Sequence, residues 1–245
     1  MIPTKSIGWM RDGEALLART IDAAVPLDAP SLLAGWDRAT LVSHLANNAV
    51  ALVNLVRWAA TGVETPMYAT AQTRDDDIAK WRSADAVALL GHVGHTRQAL
   101  DEAVSTLPDS AWDHEVRTNS GRIVKASAVP WMRAREVYIH AVDLNAGTSI
   151  ADVPADIRTA LVDEVVQLLS GKPDCPVLDL RAGERHWQLG GAADSEADGR
   201  PIAGSDLDGR RIEGADTTLL AWLIGRSGGE CLSSAGPLPV LPRWL

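Results

Sequence analysis

The chain has no phenylalanine and only two tyrosines, so its large core gaps fall to nine tryptophans together with leucine and methionine; this is a packing habit and carries no chemistry. Cysteine is nearly missing as well. Cys175 and Cys231 sit in no CxxC or other ligand-like spacing, which excludes a cysteine-built metal site and reads as two reduced thiols in a cytoplasmic protein. Basic residues are in deficit: 23 Lys and Arg against 32 Asp and Glu give a net charge of −9, with no basic cluster to interrupt it. A surface of that sign repels phosphate backbones, which argues against a nucleic-acid partner. No apolar run approaches membrane-spanning length, and the N-terminal MIPTKSIGWMRDGEALLART lacks the apolar centre of a signal peptide. The expectation is a cytoplasmic, monomeric protein that contacts neither nucleic acid nor membrane.

What is present is helical first. The 245 residues can bury a core as one large domain or two ordinary ones. Four helical patterns fill the chain up to Gly147. The first runs from Ser6 to Ala24, with Ile7, Met10, Leu17 and Ile21 at helical spacing. The second follows GWDRAT from Ala39 to Thr61 and is ended by Gly62 and Pro66. The third starts after Ser83 and continues through Val87, Leu90, Leu100 and Val104 to Pro108. The fourth spans Ala126 to Asn145, tolerates Pro130 in its first turn and stops at Gly147. Long loops join the second to the third and the third to the fourth, which reads as a bundle over residues 1–150.

After Gly147 the composition changes. Residues 155–170 form an amphipathic helix through Ile157, Leu161, Val165 and Leu168, and PVLDLRA and RHWQLGG alternate like short strands. An acidic, Gly-rich stretch from Ala192 to Gly209 reads as loop; a strand RIEG, a helix from Asp216 to Ile224 and a Pro-rich tail follow. The fold class expected is α plus α/β, a four-helix bundle followed by a small α/β domain over residues 151–245.

The sharpest constellation is Glu136 and His140 in REVYIHAVD. Four residues apart on a helix, they lie on one face within reach of a shared ion, and Val129, Met132 and Leu144 place that face inside the bundle. His44 has the same character on the second helix, flanked by Leu41, Leu52, Leu55 and Ala59. An ionised carboxylate among apolar side chains is costly unless something compensates it. A divalent cation bound by two imidazoles and a carboxylate does so, and three protein ligands leave one position open, as in catalytic zinc sites. An ordinary helix ion pair beside a satisfied core histidine gives the same pattern. Asn47 and Asn48 follow His44 on the flank of the same cavity, and Asp143 lies one turn beyond Glu136; each is a candidate to contact a ligand or orient an imidazole, or an internal hydrogen-bonding residue. His92 and His95 sit among glycines with no carboxylate on their face, and His114 and His186 have no partner pattern, so all four read as structural. GRSGG, Gly225 to Gly229, spells a nucleophile elbow, but a helix precedes it, Pro-rich coil follows and no histidine lies downstream, so its glycines read as a helix stop.

GWDRATLVSHLANNAVALVNLVRWAATGVETPMY, VPWMRAREVYIHAVDLNAG, LLAWLIGR and the terminal PRWL together resemble the mycothiol-dependent maleylpyruvate isomerase family over almost the whole chain. His44, Glu136 and His140 match that family's zinc ligands one for one, and Arg226 matches an arginine it uses from its second domain. The resemblance implies a DinB-like four-helix bundle followed by a sterol-carrier-like α/β domain. It also implies a divalent metal, zinc first, and a small thiol, mycothiol or ergothioneine. The reaction implied is cis-trans isomerisation of a dicarboxylate, maleylpyruvate to fumarylpyruvate, in gentisate catabolism. His44 and Arg226 would then be the catalytic residues, with Asn47, Asn48 and Asp143 near the thiol. A dianionic substrate approaching a chain of net charge −9 needs a local cation, the role Arg226 would fill; without the resemblance, the same arginine reads as a helix C-terminal charge. Two other readings stand beside this one. A small-thiol S-transferase would use the same ligands, and a non-catalytic small-ligand carrier would need no metal.

Overall fold

Asp37 starts the longest helix. Its backbone is extended and its carboxylate accepts the Thr40 N–H at 2.8 Å, an N-cap; at the other end Gly62, at φ 72°, returns its N–H to the Trp58 carbonyl. The computed structural model describes residues 1–23, 26–191 and 211–244, and these divide into two compact units, Met1–Ser149 and Ile150–Leu245. The first unit holds α1 (Thr4–Ala23), α2 (Arg38–Thr61), α3 (Ala71–Arg82), α4 (Ala86–Thr106), a hairpin of β1 (Glu115–Arg117) and β2 (Ile123–Lys125), and α5 (Val129–Asp143).

α2 is the axis of this unit: it packs against α3, α4 and α5, while α1 lies along α5. By length and composition alone α2 is apolar enough to cross a bilayer, which corrects the expectation that no run approaches that length. Yet 72% of its most apolar window is buried inside the bundle, as expected of a core helix that is apolar on nearly every side. Gly13 lets α1 and α5 approach closely, since a Cβ there would stand 2.6 Å from Val137 Cγ2 and 2.8 Å from the Tyr138 ring.

Both expected long loops contain structure. α3 lies in the first; its sequence AQTRDDDIAKWR buries only Ile78, too little for an apolar period to show. Thr70 caps it by accepting the Thr73 N–H at 3.0 Å, and two contacts dock it on α2: Ser43 Oγ donates to the Ile78 carbonyl at 2.8 Å and Arg82 pairs with Asp37 at 2.7 Å. The second loop carries the β1–β2 hairpin, with Val116 opposite Val124 and Gly121 at φ 81° in its turn. α5 begins after a 3-10 turn at Ala126–Ala128 and ends at Asp143, short of Asn145 (φ 52°) and Gly147 (φ 95°).

The second unit contains α6 (Ala155–Ser170), β3 (Leu178–Ala182), β4 (Arg185–Leu189), β5 (Arg211–Glu213), α7 (Asp216–Leu223) and β6 (Ser233–Ser234). Its sheet order is β4-β3-β5-β6, with β3 and β5 parallel and the other pairs antiparallel. Leu180, Leu189, Ile212, Leu219 and Leu220 are buried, and Arg158 of α6 reaches Asp216 in the first turn of α7 at 2.9 Å. β6 falls inside the tail read from the sequence as coil; two residues are too short to show an alternation. The loop expected from Ala192 to Gly209 lies outside the described residues. Gly225, at φ 71°, stops α7, so GRSGG follows a helix rather than a strand.

Candidate metal centre

His44 enters the bundle from the second turn of α2, and Glu136 and His140 from adjacent turns of α5. His44 Nε2 stands 3.2 Å from Glu136 Oε2, and His140 Nε2 stands 3.5 Å from the same oxygen. One ligand atom from each of the three lies within 4.8 Å of the others. Two ligands about 2.1 Å from a tetrahedral ion stand roughly 3.4 Å apart, so these separations fit a single small cation held by two imidazoles and one carboxylate oxygen. The imidazole rings of His44 and His140 meet edge to face, 5.2 Å between centroids, and the Trp36 ring meets His44 edge-on at 5.6 Å between centroids.

The surroundings set the charges. Burial alone would raise the Glu136 carboxyl's pKa, but hydrogen bonds and charge from His140 and His44 hold it well below its usual value. Burial likewise opposes charge on His140, yet Asp143 and Glu136 raise it to about 9. His44 goes the other way: burial pushes it down, and the charges of His140 and Arg74 add to that against its hydrogen bond to Glu136. His140 Nδ1 bonds Asp143 Oδ2 at 2.8 Å, which leaves Nε2 as the nitrogen offered inward. Arg135 Nη2 lies 3.6 Å from the other Glu136 oxygen. His44 Nδ1 is buried with no hydrogen-bond partner among the described residues.

The remaining expected residues fall in different places. Asn47 is buried one turn on from His44; its Oδ1 meets His92 Nε2 at 3.5 Å and its Nδ2 has no partner among the described residues. Asn48 turns into the core, where its Oδ1 accepts from Arg133 Nη1 at 2.8 Å. Arg133 in turn pairs with Glu14 at 2.6 Å, a buried ion pair that sequence spacing gave no reason to expect. Arg226 lies in the second unit just past α7, its N–H bonded to the Ala221 carbonyl at 2.7 Å and its Nη1 to the Ile224 carbonyl at 2.8 Å. His92 stacks flat on Trp81 at 3.6 Å, and His114 Nδ1 meets the Ala59 carbonyl at 2.6 Å. Two residues coupled electrostatically to the trio, Tyr68 with Glu136 and Arg74 with His44, lie in the stretch read as loop, and nothing in the sequence marked them.

Fold and site together define a helical-bundle protein with a candidate three-ligand metal centre and a separate small α/β unit. The family model of the mycothiol maleylpyruvate isomerase N-terminal domain matches residues 10–145. The crystal structure of the mycothiol-dependent maleylpyruvate isomerase matches with TM-score 0.87 at 32% sequence identity, covering 100% of this chain and 98% of that one. The structure of its histidine-to-alanine mutant matches to the same degree. The chain belongs to the mycothiol maleylpyruvate isomerase family. No curated protein sequence matched it.

Proposed function

We propose that this chain is a metal- and thiol-dependent cis-trans isomerase that converts maleylpyruvate to fumarylpyruvate, a step of gentisate catabolism, with mycothiol as the thiol. The observation that carries the reading is the convergence of His44, Glu136 and His140 within 4.8 Å, in a chain of this family. His44 Nε2, Glu136 Oε2 and His140 Nε2 would hold one divalent cation, zinc first, and leave one position of a tetrahedral ion for an outside group. Bound there, the cation supplies Lewis acidity, which lowers the pKa of a thiol or polarises a carbonyl.

A C=C bond does not rotate, so the cis alkene must become single for a moment. Addition of a thiolate sulfur to one alkene carbon moves the π pair onto the conjugated carbonyl as an enolate; the new single bond rotates, and return of the pair expels the thiolate and leaves the trans alkene. No atom is gained or lost, and the thiol is recovered. Neither free cysteine, Cys175 or Cys231, lies in the segments that resemble the family, so in this reading the sulfur comes from an outside thiol. Asp143 keeps the His140 ring oriented, and Asn47 offers a buried amide N–H group one turn from His44. In this reading residues 1–150 carry the metal ligands and residues 151–245 supply Arg226, whose paired N–H donors suit a substrate carboxylate.

The test is turnover of maleylpyruvate by the purified, zinc-loaded chain with mycothiol, with ergothioneine and with no thiol, read as appearance of the trans isomer. Mycothiol-dependent isomerisation is expected. A stable adduct with no trans product would make the chain an S-transferase, and full activity after His44→Ala and complete chelation would remove the metal from the reaction.

A further inference from the structure

The isomerase reading leaves the first unit with an unmet electrostatic demand. A dicarboxylate must approach a chain of net charge −9 and settle beside Glu136, an anion in its own right. Arg133 cannot help, because it is spent on Glu14, the Leu45 carbonyl and Asn48 in the core. Arg135 leans on Glu136 itself. Arg74 of α3 is a further cation of this unit.

Its position follows from how α3 is docked. α3 runs antiparallel to α2, because Arg82 meets Asp37 ahead of the first turn of α2 while the Ile78 carbonyl meets Ser43, one residue before His44. Residues four apart share a helix face, so Arg74 shares the face of Ile78, the one buried residue of α3. One turn back from Ile78, about 5.4 Å along the axis, brings Arg74 level with the His44–Asn47 turn of α2. The segment is held firmly. Thr70 caps the helix, Trp81 stacks on His92 of α4, and Asn54 Nδ2 donates to the Pro66 and Met67 carbonyls at 3.4 and 3.3 Å.

We propose that Arg74, assisted by the Tyr68 hydroxyl, is a carboxylate-binding subsite beside the metal trio and takes one carboxylate of the substrate. Tyr68 neighbours the arginine: burial raises the pKa of its phenol, and Arg74 opposes the rise through its charge and a side-chain hydrogen bond. The ion pair of Arg74 Nη1 with Asp75 at 2.9 Å does not disable the subsite: Asp75 is 64% exposed, and a surface pair of neighbours on one helix is weak and easily exchanged for a ligand. A guanidinium presents two N–H groups in parallel to a carboxylate, and a phenol adds a third donor.

The subsite rests on the isomerase reading for the identity of its ligand, so the experiment separates the two. The zinc-loaded full-length chain is titrated calorimetrically with maleate, the simplest cis dicarboxylate, and zinc content is measured in every variant. The wild type should bind maleate. Arg74→Gln should bind it about tenfold more weakly or worse, Arg74→Lys should fall between, and Tyr68→Phe should lose severalfold, all with full zinc. Equal affinity in Arg74→Gln, no maleate binding by the wild type, or zinc loss in Arg74→Gln would each overturn the subsite. Maleate binding through Arg74 in a chain that fails to isomerise maleylpyruvate would instead sink the isomerase reading and leave the subsite standing.

Discussion

His140 donates from Nδ1 to Asp143 Oδ2 at 2.8 Å, across one turn of α5, and Asp143 is wholly buried. The Leu32 N–H reaches the Asp143 carbonyl, so the backbone at this turn is held as well as the side chain. A carboxylate behind a histidine fixes the ring and raises the basicity of the nitrogen facing the ion. Asp143→Asn keeps the volume and removes the charge. Zinc affinity should fall about 10- to 100-fold, measured by competition with a chelator of known strength. Unchanged affinity would detach Asp143 from the centre.

Glu14 and Arg133 tie three helices together. Their 2.6 Å contact joins α1 to α5, and Arg133 Nη1 also bonds the Leu45 carbonyl and Asn48 of α2. Removing one partner strands a buried charge, so Glu14→Ala should lower stability by about 3–5 kcal/mol in urea unfolding. Glu14→Leu combined with Arg133→Met should recover most of that loss. A single variant as stable as the wild type would show that the pair is not the bundle's polar anchor.

The candidate metal residues, His44, Glu136 and His140, were legible in the sequence as polar groups on otherwise apolar helix faces. Spacing alone left an ordinary ion pair beside a core histidine as open a reading, and the family resemblance decided between the two. Asn48 shows where such reasoning stops. It was placed beside the His44 cavity, but it turns into the core, and its partner, Arg133, comes from 85 residues away, which no spacing reveals. Glu14 and Arg133 carried no signal in the sequence, since a charge is ordinarily exposed and its partner here lies 119 residues away. α3 was read as loop because helix formation there rests on the Thr70 cap and on contacts with α2, not on an apolar stripe. Tyr68 and Arg74 were lost with it.

Asp179 links stability to pH in the second unit. It accepts from Arg181 at 3.0 Å on its own strand and from Arg211 at 3.1 Å on the parallel neighbour β5. Burial would raise its pKa, but the two arginines hold it below the usual carboxylate value. A depressed folded-state pKa stabilises above the unfolded value and ceases to as pH falls through the folded one. Asp179→Asn should therefore cost up to about 1 kcal/mol at neutral pH, given the half-exposed arginines. The difference should narrow as acidification protonates the carboxylate in both the unfolded and the folded chain. Urea unfolding of both chains at neutral and at acid pH decides it; a gap of constant size would assign the loss to packing rather than charge.

Arg226 separates a substrate role from a structural one. Its backbone and Nη1 both engage carbonyls at the end of α7, at 2.7 and 2.8 Å, which is how a helix C-terminal arginine behaves. If that were its whole task, Arg226→Ala would lower the thermal midpoint and leave turnover per folded molecule intact. As a carboxylate-binding group, the same change should leave zinc content and midpoint nearly unaltered while kcat/KM for maleylpyruvate falls on the order of 100-fold. Arg226→Lys sharpens the distinction, because an ammonium keeps the charge but loses the parallel pair of donors. It should restore only part of the activity, with the remaining deficit in KM. Wild-type turnover in Arg226→Ala would remove this residue from the reaction.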